Sequence, residues 1–115
     1  MITIWKEQFK IRDEFTINLP KDHRMLKVGT QNNVPTMWFM CSSESPKVEF
    51  TFRVFGTGME IYPSDEENLL YISTFEVLNM VEADKPVTIS YIWHLFLVTP
   101  KQAEAQDGKG IQANS

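Results

Sequence analysis

The sequence predicts a mainly-β fold: a small antiparallel β-barrel or sandwich of about six to eight strands, with at most one short helix and a disordered C-terminal tail. Three observations carry this. From Val48 to Phe55 apolar and polar residues alternate with period two until the last position, and the run stops at Gly56-Thr57-Gly58, as a half-buried strand driven into a tight turn does. Turn signals recur along the chain at spacings near those of short strands. No long stretch shows a helical period.

The elements follow in order. Residues 1–11 read as a first strand, with Ile2, Ile4, Trp5, Phe9 and Ile11 as its apolar positions. The apolar set moves from even to odd numbers, which calls for a bulge or break near Lys6-Glu7-Gln8. Phe15, Ile17 and Leu19 alternate with Thr16 and Asn18 in a second strand that ends at Pro20-Lys21-Asp22. Met25 to Thr30 places Leu26 and Val28 on one face and Lys27 on the other. Gln31-Asn32-Asn33 is a turn, since Asn tolerates positive φ. Pro35 puts the start of the next strand at or near a sheet edge.

Thr36 to Cys41 is apolar on both parities, as in a strand covered on both faces. Ser42 to Pro46 is a loop before the strand 48–55. Met59 to Asn68 is an excursion through Tyr62-Pro63, with one helical turn that Ser64 could cap and Glu67 three residues on, as in a capping box. Leu70 to Phe75 is a strand, Ala83-Asp84-Lys85-Pro86 a loop, and Val87 to Val98 the last and longest strand. Residues 1–98 make one domain, and 99–115, with no apolar period, read as a disordered tail.

At 115 residues the chain is long enough for a core of its own. Eight Phe, three Tyr and three Trp are foreign to a disordered sequence. The formal net charge is −4, and the tail, with Lys101 and Lys109 against Glu104 and Asp107, contributes none of it. An acidic domain does not attract phosphate backbones, so no nucleic-acid partner is expected. Asp65-Glu66-Glu67 reads as a solvated loop. The single cysteine, Cys41, permits no intrachain disulfide and suits a reducing cytoplasm. The longest apolar run, Ile89 to Val98, is about half the length a membrane helix needs, so no membrane is expected.

Candidate chemistry is thin. Gly56-Thr57-Gly58 lacks the helix that a phosphate loop needs behind it, and reads as a turn using glycine for positive φ or close approach. His94 and Ser90 are about 13 Å apart along one strand, so they form no nucleophile–base pair, and His94 reads as a satisfied, partly buried histidine. His23, His94 and Cys41 show no ligand spacing. No catalytic residue, metal or cofactor is expected. The aromatic residues are more suggestive. Trp38 with Phe39, and Trp93 with Phe96, occupy both faces of their strands, and Phe55 interrupts the polar parity of Glu49, Thr51 and Arg53. Such a residue marks either a contact patch or a second face covered by loops; both readings stand.

These residues resemble a family of small uncharacterised bacteriophage and prophage proteins. The resemblance rests on Ile4-Trp5-Lys6, on Thr16-Ile17 before Leu19-Pro20, and on Val34-Pro35-Thr36-Met37-Trp38. It continues through Phe52-Arg53-Val54-Phe55-Gly56-Thr57-Gly58, Tyr71-Ile72-Ser73-Thr74-Phe75 and Ile92-Trp93-His94-Leu95-Phe96, in the same order over residues 2–97. That family often has a histidine after the Gly-Thr-Gly turn; Met59 stands there, and any chemical role of that histidine is lost. The segments 59–70 and 76–90 are longer than in the family.

The resemblance implies a phage-encoded accessory protein in the host cell cytoplasm that binds and blocks a host bacterial protein, in particular a defence component. Its binding surface would combine Arg53, Phe55, Gly56, Thr57, Gly58 and the excursion through Tyr62, with Trp38, Trp93 and His94 as further candidates. An oligomeric sponge for a nucleotide signal, with Arg53 on phosphate and aromatic residues on the base, is one alternative. A virion or assembly component is another.

Overall fold

A computed structural model describes residues 1–80 and 88–99. It contains seven strands and one helix of a single turn. The strands are β1 (Ile2–Gln8), β2 (Glu14–Pro20), β3 (Arg24–Gln31), β4 (Val34–Ser42), β5 (Lys47–Gly56), β6 (Leu69–Met80) and β7 (Thr88–Val98), with α1 (Pro63–Glu66) before β6. They form a three-stranded sheet in the order β1-β4-β3 and a four-stranded sheet in the order β2-β5-β7-β6, antiparallel throughout. Among the described residues no closed barrel forms. The expected barrel or sandwich is therefore a sandwich.

The inner parities of the two sheets meet in one core. Val28, Met37, Phe39 and Cys41 come from one sheet, and Leu19, Phe52, Val54, Phe75 and Leu95 from the other. Burying a large apolar side chain contributes about 1.5–3 kcal/mol, so this shared set is what holds the sheets face to face. Phe9 joins it from the linker between β1 and β2, stacked on Phe15 at 5.2 Å and edge-on to Phe75 at 5.7 Å. The expected first strand through residue 11 thus ends at Gln8. The phase slip is a break: Phe9 and Ile11 lie in a crossover that carries the chain from one sheet to the other.

Three further expectations are corrected. In β3 the register shifts between Met25 and Lys27. This bulge leaves Leu26 unpaired and exposed, so Met25, and not Leu26, shares the inward side with Val28. Pro35 does not mark an edge, because β4 is the central strand of its sheet; the proline is tolerated at the second position, where β1 has already ended. Ser64 does not cap α1. Tyr62 occupies the N-cap without a side-chain bond, and Pro63 opens the turn, where its missing N–H costs nothing.

The two-sided apolar character of β4 also has a specific cause. Met37, Phe39 and Cys41 are buried against the core, while Trp38 and Met40 point outward and are half-covered by long side chains of β3. Lys27 Nζ lies 5.8 Å from the Trp38 ring, and Arg24 Nη2 lies 3.5 Å from Met40 Sδ. Aliphatic stems from the next strand do the covering.

The Asn pair forms the β3–β4 turn as expected, with φ of 53° at Asn32 and 63° at Asn33, the two positive values of a type I′ hairpin. Asn33 does more. Its side-chain amide accepts a hydrogen bond from the Leu78 N–H at 2.8 Å and donates one to the Leu78 carbonyl. Leu78 lies on the edge strand β6, so the amide satisfies both its backbone groups as a neighbouring strand would. β6 runs through Met80, longer than the expected Leu70 to Phe75. Thr99, the first residue of the expected tail, still donates its N–H to the Asn68 carbonyl at 2.7 Å. The rest of that tail and the Ala83–Pro86 loop lie outside the described residues.

Candidate functional site

The site is built where β5 leaves its sheet. Gly56 to Met59 is a β-turn closed by Met59 N–H on the Gly56 carbonyl at 3.1 Å. Gly58 has φ +94°, the positive value at the third position of a type II turn. Gly56 serves a different purpose: a Cβ there would stand 3.3 Å from the Trp93 ring. The chain then folds back as the excursion 59–68 and lies over the outer face of the four-stranded sheet.

On that face Phe55 pairs with His94, Arg53 with Phe96, Tyr71 with Phe96 and Thr74 with His94 across the ladders. Phe96 meets Phe55 edge-on at 5.5 Å and Tyr71 at 5.6 Å. Arg53 packs its guanidinium 4.8 Å from the Phe55 ring and pairs through Nη1 with Asp65 Oδ2 at 3.4 Å. This ion pair ties α1 to β5. Phe55 is only 4% exposed as a result. The break in the polar parity is therefore covered by the chain's own loop, and the expectation that Phe55 is itself a contact residue is corrected: it is the floor on which the excursion sits.

Beside that floor lies an open pocket of about 440 Å³ lined by Ile61, Glu66, Leu69, Tyr71 and Phe96. Its lining combines two aromatic rings, two aliphatic side chains and one carboxylate. Tyr62, at the start of α1, is 63% exposed next to it.

His94 is held at both ring nitrogens. Nε2 is 2.9 Å from Thr57 Oγ1 in the glycine turn, and Nδ1 is 2.8 Å from Thr74 Oγ1, which in turn is 2.7 Å from the Tyr71 hydroxyl. Hydroxyls donate or accept as needed, so either neutral tautomer is satisfied. A hydroxyl on Nε2 has the outline of an activated nucleophile. The partner on Nδ1, however, is a neutral hydroxyl and not the carboxylate that stabilises an imidazolium in a catalytic triad. The arrangement fixes the turn to the sheet. Among the described residues no group of three or more potential metal ligands comes together.

The structure thus brings Arg53, Phe55, Gly56, Thr57, Gly58, Tyr62 and His94 into one region. Of the two tryptophans only Trp93 touches this region, through Gly56, and neither joins its outer face. Trp38 lies on the outer face of the other sheet beneath Lys27, and Trp93 turns inward to pack on the core beside Gly56. Sequence reasoning missed Tyr71, Thr74 and Phe96 as neighbours of His94 and Phe55. Their signal is the cross-strand register, shifted by a bulge between Tyr71 and Ser73.

Fold and site together define a small two-sheet β-sandwich domain with a loop-covered aromatic face. The chain belongs to the family described as Domain of unknown function (DUF7352), which matches residues 1–106. No curated protein matches it. No solved structure matches it either. Among the described residues no helix is long and apolar enough to cross a membrane.

Proposed function

We propose that this protein is a non-enzymatic binding domain that captures a host bacterial protein and inhibits it, as a phage-encoded accessory factor directed at a defence component. The observation that carries the reading is the cluster of exposed large apolar side chains around the pocket. Met59, Ile61 and Tyr62 on the excursion and Tyr71 on β6 are all solvent-exposed. An aromatic and aliphatic patch rimmed by polar residues is the form a protein contact takes, and a tyrosine seated in a pocket is the usual energetic anchor. The nucleotide sponge is less well supported, since Arg53, the cation it would use, is already engaged by Asp65 and Phe55.

The test is capture from bacterial lysate with tagged wild-type protein and with an Ile61→Ser/Tyr62→Ser variant, followed by an activity assay on the recovered protein. The reading expects one host protein in stoichiometric amount, an activity that falls when wild-type protein is added, and at least about a tenfold weaker complex with the variant. Equal capture by both proteins refutes this surface, and a recovered protein whose activity is unaffected refutes inhibition.

A further inference from the structure

The two outer faces of the sandwich carry opposite charge. On the outer parity of the β1-β4-β3 sheet the charged side chains are Lys6, Arg24 and Lys27, placed by the pairs Lys6–Trp38–Lys27 and Arg24–Met40. Between them lies an apolar strip. Ile2 is 66% exposed, Ile4 57% and the bulged Leu26 49%, with Met40 and Trp38 beneath. Asp22 reaches the end of this face, where its carboxylate accepts the Ser42 N–H at 3.0 Å.

On the outer parity of the four-stranded sheet stand Glu14, Glu49 and Glu76, opposite Arg53, Asn18 and Ile92. The excursion adds Glu60, Asp65, Glu66 and Glu67. Among the described residues two strand cations share this parity: Arg53, which is paired with Asp65, and Lys47, whose Nζ turns away to the Trp5 ring at 5.9 Å. This face carries exposed apolar side chains too, Ile92 on the inner strand β7 and Tyr71 and Leu78 on the edge strand β6.

Each face alone repels its own copy. A two-fold contact would bring together two patches of the same net sign. Each face complements the other in sign, and both have exposed apolar side chains to bury. The occupant that meets both faces at once is therefore a second copy of the same chain. We propose that copies of this protein associate head to tail, the cationic face of the β1-β4-β3 sheet of one seating on the acidic face of the β2-β5-β7-β6 sheet of the next. Such a contact is heterologous, so it extends into a stack or closes into a ring. Each open stack keeps one acidic face free at its end for another partner. The inference is independent of host-protein capture, because it is read on purified protein alone.

The experiment is sedimentation velocity over a concentration series, with folding checked by circular dichroism. Wild-type protein is expected to gain mass with concentration at low ionic strength. It should lose that mass in about 1 M salt, where the screening length falls to about 3 Å. Ile4→Glu disables the cationic face and Tyr71→Lys the acidic one. Both positions are more than half exposed, and circular dichroism checks that the fold survives, above all for Tyr71→Lys, which gives up the contact with Phe96 and the hydrogen bond to Thr74. Each variant alone should associate at least about tenfold more weakly, whereas an equimolar mixture should pair through its two intact faces and stop at a dimer. A wild-type monomer up to about 1 mM, a Kd range for only the weakest contacts, overturns the proposal. So does a single variant that still pairs with itself, or a folded mixture that does not pair.

Discussion

Replacing Phe55 with alanine tests whether the excursion covers this ring. With 4% of the residue exposed, nearly its whole side chain is withdrawn from water, which contributes about 2 kcal/mol. The edge-on contact with Phe96 at 5.5 Å adds about 1 kcal/mol. The Arg53 guanidinium at 4.8 Å, on a partly exposed side chain, adds about 0.5 kcal/mol. The expected loss is therefore about 3.5 kcal/mol, in the lower part of the range for buried Phe→Ala changes. With a urea slope of about 1.5 kcal/mol/M, the unfolding midpoint should fall by about 2 M. Phe55→Leu keeps most of the transfer term and should lose about 1 kcal/mol. The alanine variant should also be cut faster within the excursion by a Glu-specific protease, at Glu60, Glu66 or Glu67. A loss below about 1 kcal/mol, with unchanged cleavage, would mean that the loop does not seat on the ring and that Phe55 is a free surface aromatic after all.

Two other positions give separate readouts. Asn33→Gly keeps the positive φ and removes only the amide, so it should cost about 1 kcal/mol and speed hydrogen exchange at the Leu78 N–H. Asn33→Ala adds the strain of positive φ and should cost about 1 kcal/mol more; unchanged exchange at Leu78 in the glycine variant would refute the edge contact. Burial, with the nearby Asp22 carboxylate, pushes the Cys41 thiol up against an opposing effect of Lys47. The unfolded chain therefore loses the proton first, and the stability this group contributes is whole below the ordinary thiol range and declines as pH rises through it. Native Cys41 should react with a thiol reagent about a hundredfold more slowly than the urea-unfolded chain, consistent with an opening that costs about 3 kcal/mol; comparable rates would refute its burial.

Local signals were legible and pairing was not. The alternation from Val48 to Phe55, the positive φ at Asn32 and Asn33, and the glycine turn all depend on neighbours in sequence, and the structure has them. Leu26 was misplaced because a bulge reverses parity without leaving a mark in composition. Phe55 looked like surface because its cover arrives from a loop several residues on, held by Arg53 and Asp65. His94 reads from sequence as satisfied and partly buried, but its partners were not legible, because Thr57 and Thr74 reach it only through a turn and a cross-strand register. The opposite charges of the two outer faces were hidden within a modest net charge, since the sum over a chain says nothing of which sheet each side chain leaves from.

The crossover at Phe9 decides when this protein can fold. It sends β1 and β2 to different sheets, where Ile2 lies opposite Ser42 and Glu14 opposite Arg53, each pair about forty residues apart, a separation typical of slow, non-local β topologies. During synthesis the first two strands emerge with no ladder to join until β4 and β5 have followed. The β3–β4 hairpin, closed by its asparagine turn, is the earliest unit with a local partner. It is thus the natural template on which β1 docks, while the second sheet waits for β7, its inner strand and the last to be made.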